Sequence, residues 1–225
     1  MHRKFFSLLF GIGLFVLMGL LWQKSRQAAF PADAPGRMDG SAPVVALTFD
    51  DGPHPAYTQL LLDGLKERGV QATFFLIGVN AKGQEAVIEQ MARDGHLIGN
   101  HTYSHVQLTK ISDEKACEEI GKTNSLLEEM CGQKIAYVRP PFGSWPEALD
   151  CLTDMRVVLW SVDPLDWKVQ NTDAVVKAVV NKAKDGDIIL LHDVYKTSVE
   201  AAFQIIDLLQ EKGYEFVRVD ELLLD

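Results

Sequence analysis

Cysteine and basic residues are both scarce in this sequence of 225 residues, and each shortage excludes a class of protein. The three cysteines, Cys117, Cys131 and Cys151, do not have the spacing of a structural zinc site. Lysine and arginine total 22 against 31 aspartates and glutamates, which gives a formal net charge of -9. Because nucleic-acid binding depends on basic residues that neutralise phosphates, this charge argues against a nucleic-acid partner. It is compatible with a neutral or cationic substrate.

The three cysteines cannot all pair within one chain. Cys117 and Cys131 flank a predicted helix and would stand about 21 Å apart, which is too far for a disulfide. A bond between Cys131 and Cys151 remains open. The sequence otherwise favours buried, unreactive thiols at all three positions.

The N-terminal segment differs in composition from the rest of the chain. Residues Phe5 to Trp22 carry no formal charge, and this length reaches the lower limit for a helix that spans a bilayer. Arg26 and Gln27 stand where an Ala-x-Ala-like cleavage site needs small residues, which favours an uncleaved signal-anchor over a cleaved signal peptide. Two basic residues near the start favour a domain outside the membrane. The predicted organisation is a membrane segment at 1–27, a Pro- and Gly-rich linker at 28–43 and one domain at 44–225.

Beyond the linker, short apolar runs alternate with segments of helical periodicity. The runs predict strands at 44–49, 72–78, 96–100, 136–143, 156–162, 187–193 and 215–219. The segments between them predict helices at 57–68, 84–93, 113–130, 146–154, 174–184 and 199–212, the third with Ser112 as its cap. This alternation predicts an α/β fold with a parallel sheet, either an open doubly wound sheet or a closed barrel. No Gly-rich dinucleotide fingerprint follows the first strand, which disfavours a dinucleotide-binding version.

Asp50 and Asp51 follow the first predicted strand, in the stretch LTFDDGPHP. An Asp-Gly pair is common in ordinary turns, and that reading remains open for this stretch alone. However, adjacent strand residues point to opposite faces, so one carboxylate would enter the core unless both turn toward one site. A metal ion would explain the pair, since one Asp would bind the ion while the other accepts a proton from water.

Unusual polar residues also end the other predicted strands. Strand ends gather at one rim of a parallel α/β fold, so these residues are expected to lie together. They are Asp50 and Asp51, His101 and His105, Arg139, Asp163 and Asp166, and His192 and Asp193.

His101 and His105 are four residues apart, a spacing that allows both imidazoles to bind one metal ion. Most such pairs are surface or core residues, but the neighbouring Asp pair favours metal binding. A carboxylate would complete three protein ligands and leave a fourth position for water, as in catalytic zinc sites.

The remaining polar residues suit acid–base chemistry at the same rim. Arg139 needs an anionic partner there, and the Asp that acts as base is the natural one; a structural salt bridge at the surface is the alternative. His192 would protonate a leaving amine if Asp166 raised its pKa, and a satisfied core histidine is the alternative. Pro140 and Pro141 fix the backbone so that the N–H of Phe142 can face a developing oxyanion. Trp167 and Leu190 are apolar residues beside this site that could enclose a methyl group.

Five motifs together resemble the polysaccharide deacetylase family, which is carbohydrate esterase family four or the nodulation-factor deacetylase homology domain. They are TFDDGP (48–53), HTYSH (101–105), RPPFG (139–143), DPLDW (163–167) and LLH (190–192). The resemblance covers residues 44–225 and implies a distorted (β/α) barrel of about seven strand–helix units. It also implies a divalent metal, usually zinc or another transition metal such as cobalt, bound by Asp51, His101 and His105.

The resemblance assigns the remaining roles as well. It implies Asp50 as the base oriented by Arg139, and His192 as the acid tuned by Asp166. It implies that the Phe142 amide assists the oxyanion and that Trp167 and Leu190 shape an acetyl pocket.

The expected function is hydrolytic removal of N-acetyl groups from an amino-sugar polymer, with N-acetylglucosamine of peptidoglycan as the leading substrate. N-acetylmuramic acid, chito-oligosaccharides and acetylated xylan remain alternatives, as does a non-catalytic glycan-binding module. The expected partners are the glycan polymer and, through the N-terminal helix, the membrane; nothing in the sequence predicts a protein partner. The domain is expected outside the cell, with secretion after signal cleavage as the alternative.

Overall fold

The computed structural model describes residues 41–146, 149 and 155–223, and this part of the chain contains one seven-stranded parallel sheet. Its strands follow one another in the order β5-β4-β3-β2-β1-β6, and β7 pairs with the start of β1. The strands are β1 (Val44–Asp50), β2 (Thr73–Leu76), β3 (Leu97–Asn100), β4 (Tyr137–Val138), β5 (Arg156–Val157), β6 (Asp187–His192) and β7 (Glu215–Val217).

Helices connect these strands, as the alternation of periodicities predicts. They are α1 (Tyr57–Glu67), α2 (Gly78–Ala81), α3 (Glu85–Arg93), α4 (Asp113–Cys131), α5 (Asp166–Val169), α6 (Thr172–Lys182), α7 (Lys196–Glu211) and α8 (Val219–Leu222). Short 3-10 turns lie at Leu108–Lys110 and Pro141–Gly143. The predicted cap of α4 is confirmed, because the Ser112 side chain accepts a hydrogen bond from the N–H of Lys115.

The two edges of the sheet meet, which distinguishes a curled barrel from an open sheet. The chain that follows β5 forms a parallel bridge with β6 between Val162 and Ile189. The N–H of Leu190 also donates to the carbonyl of Val162 at 2.9 Å. The fold therefore fits a distorted (β/α) barrel.

Residues of β1 alternate between two cores. Val45, Leu47 and Phe49 pack into the large cluster that contains the helices α1, α3, α4, α6 and α7. Val44 and Ala46 join a small inner cluster with residues of β2, β6 and α8. Both faces of the strand are therefore buried, which explains its nearly continuous apolar sequence. Since Thr48 and Asp50 continue the even-numbered series, they face the inside of the barrel.

Strands β4 and β5 are much shorter than predicted. Pro140 and Pro141 have no N–H and cannot extend the ladder of β4. The Arg139 guanidinium binds the carbonyl oxygens of Val158 and Leu159, which follow β5. The Arg139 side chain thus binds carbonyl oxygens that a longer strand β5 would use to pair with a neighbouring strand.

Cys117 forms a disulfide, whereas Cys131 is a free thiol. The prediction of three unpaired thiols and the alternative bond between Cys131 and Cys151 are therefore wrong. Cys151, the remaining cysteine of the sequence, lies outside the described residues. Helix geometry excluded only the pair Cys117–Cys131, and the partner of Cys117 depends on tertiary packing that no local pattern reveals.

Two predicted segments lie outside the part of the chain that the structure describes. These are the N-terminal segment at 1–27 with most of the linker, and most of the predicted helix at 146–154. Among the described residues, no helix combines the length and the apolar character needed to cross a bilayer.

Candidate active site

The polar residues that end the strands come together at one rim of the barrel. Asp50 ends β1, His192 ends β6, and the register of the two parallel strands places these residues side by side. The loop after β3 brings His101 and His105 to the same place, and Arg139 follows β4. The structure thus brings together residues that are up to 142 positions apart, from Asp50 to His192.

Asp50 is held by a buried arginine. Its side chain is 4% exposed, and Oδ1 accepts a hydrogen bond of 2.8 Å from Nη1 of the fully buried Arg139. The same Nη1 donates to Oγ1 of Thr48 at 2.7 Å. The other carboxylate oxygen, Oδ2, lies 3.7 Å from Nε2 of His101. One oxygen of Asp50 is therefore fixed by a charge-assisted hydrogen bond, while the other faces His101.

Arg139 fills the inside of the barrel as well as binding Asp50. Its guanidinium lies 4.2 Å from the centroid of the Phe75 ring and 5.6 Å from that of Trp160. A buried cation is tolerated only when it is paired and hydrogen-bonded, and here Asp50, one hydroxyl and two backbone carbonyls meet that need. The alternative of a surface salt bridge is therefore excluded.

Asp51, His101 and His105 form a group that can hold a metal ion. One potential ligand atom from each residue lies within 4.8 Å of the others. Oδ1 of Asp51 is 3.4 Å from Nε2 of His101 and 3.3 Å from Nε2 of His105. This oxygen is buried and has no hydrogen-bond partner among the described residues. A buried, unpartnered carboxylate oxygen that faces two imidazole nitrogens fits a divalent transition metal.

The tautomer of His101 suits the same purpose. Its Nδ1 lies 2.7 Å from the carbonyl oxygen of Arg139. Because a carbonyl only accepts, Nδ1 carries a proton, which leaves Nε2 of the neutral ring as the atom that can bind a metal beside Asp51 and His105. A backbone carbonyl that fixes a histidine in this way is a common feature of metal sites.

Several residues of this rim have a backbone conformation that is unusual for side chains other than glycine. The φ angles of Asp51, His105 and Phe142 are 72°, 57° and 62°. Such conformations carry a cost and occur mainly where function requires a particular orientation. The turn at Asp51 allows two adjacent carboxylates to face one site, which a regular strand would prevent.

His192 and Asp166 form a second pair at the rim. Nδ1 of His192 donates to Oδ1 of the buried Asp166 at 2.8 Å, and the backbone N–H of His192 donates to Oδ2 at 2.8 Å. Burial lowers the pKa of His192, but the hydrogen bond and negative charge of Asp166 outweigh it, with smaller contributions from Asp50 and Asp51. The resulting pKa is about 9, so His192 holds a proton at neutral pH.

The three apolar residues predicted at the site differ in exposure. Phe142 is 67% exposed, and the edge of its ring meets His105 at a centroid distance of 4.9 Å. Trp167 follows Asp166 on α5 and is 46% exposed, so its ring is not enclosed by the protein. Leu190 is buried on β6, two residues before His192 and therefore on the same face of the strand.

Sequence reasoning placed Asp193 at the end of a strand but gave no role to this carboxylate, which lies buried behind the site. Asp193 is fully buried, and burial raises its pKa to about 7. One oxygen accepts a hydrogen bond from the hydroxyl of Thr58, which in turn accepts one from the N–H of His54. Asp193 thus connects the end of β6 with the loop that carries Asp51. Its position directly after His192 in the sequence was a signal, but nothing local indicated its burial.

Comparison with known proteins places these observations in a family. The model of the family described as Polysaccharide deacetylase matches residues 37–156. The peptidoglycan-N-acetylmuramic acid deacetylase PdaC of Bacillus subtilis is 40% identical over 200 residues, which cover 89% of this chain and 43% of the relative. A peptidoglycan-N-acetylglucosamine deacetylase of Bacillus cereus is 38% identical over 188 residues, which cover 80% of this chain and 88% of the relative.

A solved structure agrees with these sequence matches. The structure of peptidoglycan deacetylase PdaC from Bacillus subtilis has a TM-score of 0.78 and 42% identity, and the match covers 81% of this chain and 90% of that one. This chain nevertheless spans less than half the length of the whole Bacillus subtilis relative. The matched residues include the carboxylate pair, both histidines and Arg139. The chain therefore belongs to the polysaccharide deacetylase family.

Proposed function

We propose that this protein is a metal-dependent hydrolase that removes N-acetyl groups from an amino-sugar polymer, with peptidoglycan as the leading substrate. The observation that carries the proposal is the convergence of three elements at one rim. These are the group Asp51, His101 and His105, the carboxylate Asp50 held by an arginine, and His192 paired with Asp166. Amide hydrolysis needs a polarised carbonyl, a base for water and an acid for the leaving amine, and this rim supplies residues for each need.

Asp51, His101 and His105 would hold the metal, for which we propose Zn²⁺ or another divalent transition metal such as Co²⁺. When bound, the metal supplies Lewis-acid polarisation of the amide carbonyl and lowers the pKa of water at the site. A site with two imidazoles and one carboxylate suits these ions. Ca²⁺ and Mg²⁺, in contrast, prefer sites made only of oxygen ligands.

Asp50 is the proposed general base. Arg139 fixes Oδ1 of Asp50, so Oδ2 remains free to accept a proton from the water that attacks the carbonyl carbon. As negative charge develops on the carbonyl oxygen, the N–H of Phe142 is proposed to donate a hydrogen bond to it.

His192 is the proposed general acid. Its Nδ1–H is committed to Asp166, so Nε2 carries the proton that can be delivered. When the carbon–nitrogen bond breaks, Nε2 gives this proton to the departing nitrogen, and acetate and a free amino sugar are released. Trp167 and Leu190, which lie close to Asp166 and His192 in the chain, are proposed to shape the pocket for the acetyl methyl group.

N-acetylglucosamine of peptidoglycan is the first proposed substrate, supported by the named activity of the Bacillus cereus relative. N-acetylmuramic acid is the second, because the Bacillus subtilis relative is named for that sugar. Chito-oligosaccharides and acetylated xylan are further alternatives.

We also propose that residues 1–27 anchor the protein in the cell membrane with the domain outside, or that they direct secretion after cleavage. The disulfide at Cys117 supports an oxidising, extracytoplasmic location, because disulfides rarely persist in the cytosol. Protease protection and membrane fractionation of a tagged chain test this placement. A cytoplasmic domain would contradict it.

Acetate release from defined fragments of peptidoglycan and chitin tests the activity. The zinc-loaded protein is expected to release acetate, and Asp50→Asn is expected to lose at least about a hundredfold in rate because the base is lost. Asp63→Asn, which makes the same change on the exposed side of α1, is the control. A non-catalytic glycan-binding module would bind fragments equally well with Asn at position 50 and would release no acetate in any form.

A further inference from the structure

The loop that carries both metal-binding histidines has an irregular backbone. It runs from His101 to His105, and Thr102 and His105 have φ angles of 65° and 57°. Neither conformation is favourable for a residue with a side chain, so the loop does not hold this shape by itself. Contacts with the rest of the protein must therefore keep the two imidazoles in position.

The carbonyl side of this loop is bound by the start of α2. The N–H groups of Gly78 and Val79 donate to the carbonyl oxygens of Thr102 and Tyr103 at 3.0 and 2.9 Å. Gly78 allows a close approach, since a Cβ there would lie 2.5 Å from the Tyr103 ring.

The N–H side of the loop is bound by two side chains. The buried Asn100 accepts a hydrogen bond of 2.7 Å from the N–H of Thr102. Glu119, on the helix α4, accepts hydrogen bonds from the N–H groups of Tyr103 and Ser104 at 2.9 and 2.8 Å. Its other oxygen accepts one from the hydroxyl of Ser104 at 2.8 Å. One carboxylate therefore meets three donors in the middle of the histidine loop.

We propose that Glu119 is a positioning residue for the metal site, fixing the loop so that His101 and His105 face Asp51. The inference rests on the metal site of the proposed function. Hydrogen bonds to an ionised carboxylate are stronger than those between neutral groups, and three of them on two adjacent residues define both position and orientation. Glu119 does not touch the metal-binding atoms and acts through the backbone between them.

The exposure of Ser104 allows metal positioning to be separated from general stability. Without Glu119, water can satisfy the N–H and the hydroxyl of the exposed Ser104. Only the bond to the N–H of the partly buried Tyr103 is then expected to contribute to the folding free energy, so this contribution is small. The loop would then sample other conformations in the metal-free protein. Metal binding would have to order the loop, which makes the free energy of binding less favourable. Loss of Glu119 is therefore expected to weaken metal affinity much more than it lowers the melting temperature.

Glu128 provides a matched control on the same helix. Its carboxylate accepts a hydrogen bond of 2.9 Å from the N–H of Ile135, in the segment that leads to β4. It joins a helix to a neighbouring backbone as Glu119 does, but it has no contact with the histidine loop. Replacing it reproduces the loss of a helix–loop bond without disturbing the metal site.

The experiment is a titration of metal-free protein with Zn²⁺ in competition with a chromogenic chelator, together with thermal unfolding of the metal-free forms. Glu119→Ala is expected to bind Zn²⁺ about tenfold or more weakly than the wild type, as changes around metal ligands typically do. Glu119→Gln keeps one carbonyl oxygen, and its affinity for Zn²⁺ is expected to lie between those of Glu119→Ala and the wild type. Glu128→Ala is expected to bind Zn²⁺ with wild-type affinity. At saturating Zn²⁺, Glu119→Ala should recover most of its acetate release.

Equal Zn²⁺ affinity in Glu119→Ala and the wild type would overturn the proposal. Equal losses of affinity in Glu119→Ala and Glu128→Ala would also overturn it, because the effect would then be one of general stability. A wild-type protein that binds Zn²⁺ but releases no acetate would refute the proposed function, while the comparison of affinities would still decide the role of Glu119.

Discussion

Replacement of Asp166 by Asn is expected to move the alkaline limit of activity to lower pH. His192 must be protonated to act as an acid, and its pKa of about 9 keeps it protonated in neutral solution. Burial alone would lower this pKa, and the interaction with Asp166 is the largest influence that raises it. Asp166→Asn keeps an oxygen that can accept from Nδ1 but removes the negative charge.

A nearby opposite charge typically shifts a pKa by about 1–3 units, so a shift of about two units is expected here. At about 1.36 kcal/mol per unit, this corresponds to about 3 kcal/mol of interaction with the protonated imidazole. The direction follows from the role of His192 as an acid. Activity is present below its pKa and is lost as the pH rises through it, so a lower pKa brings this loss to lower pH.

The assay is kcat/KM for acetate release between pH 5.5 and about 10, because this ratio reports the free enzyme. A bound divalent cation would lower the pKa of His192 in both proteins, so the difference between the two metal-loaded forms is the quantity to compare. Asp163→Asn is the control, since Asp163 binds the N–H of Leu165 in the same loop and Asn can retain that bond. If kcat/KM falls at the same alkaline pH in Asp166→Asn as in the wild type, the assignment of His192 as an acid whose pKa is raised by Asp166 is refuted.

Three further predictions concern the interior and the metal. Arg139→Met leaves Asp50 as an unpaired buried charge, so the free energy of unfolding is expected to fall by about 3–5 kcal/mol. Urea titration measures this change, and a loss below about 1 kcal/mol would contradict the prediction. Gly52→Ala would place a Cβ 2.5 Å from both carboxylate oxygens of Asp193, which predicts a cost of about 1–3 kcal/mol. Combining Gly52→Ala with Asp193→Ala should cost less than the sum of the two changes, and strict additivity would argue against the contact. Removal of metal with a chelator is expected to abolish acetate release, and added Zn²⁺ should restore it; persistent activity would exclude metal dependence.

The strand pattern was predictable because it depends on local sequence. The apolar runs of β1 and β6 are buried on both faces, which is the condition that makes such runs easy to recognise. The lengths of strands β4 and β5 were overestimated. Prolines remove hydrogen-bond donors after β4, and the Arg139 side chain binds the carbonyl oxygens that follow β5; periodicity reveals neither effect.

The candidate site was predictable for a related reason. Parallel strands bring their C-terminal ends to one rim, so residues such as Asp50, His101 and His192 could be grouped from their positions after predicted strands. The polar character of these residues at the ends of apolar runs was visible without a structure. The family motifs then added the proposed roles.

Tertiary structure alone decided how these residues are held. The sheet closes through the bridge between Val162 and Ile189, and Arg139 lies inside the closed barrel against Asp50. Glu119 meets the histidine loop from the middle of a helix, and Asp193 joins two loops from a buried position. The disulfide at Cys117 likewise contradicted the prediction of three unpaired thiols, whereas the exclusion of a Cys117–Cys131 bond from helix length is consistent with the free thiol of Cys131.

The amino-acid sequence by itself determined the alternation of strands and helices, the residues at the rim and the family to which the chain belongs. These depend on periodicity and on motifs that lie within a few residues of one another. The pairing of charges, the tautomer of His101, the raised pKa of His192 and the support of the metal-binding loop were decided only by the tertiary structure. They depend on burial and on distances between residues far apart in the chain, and no local pattern encodes either quantity.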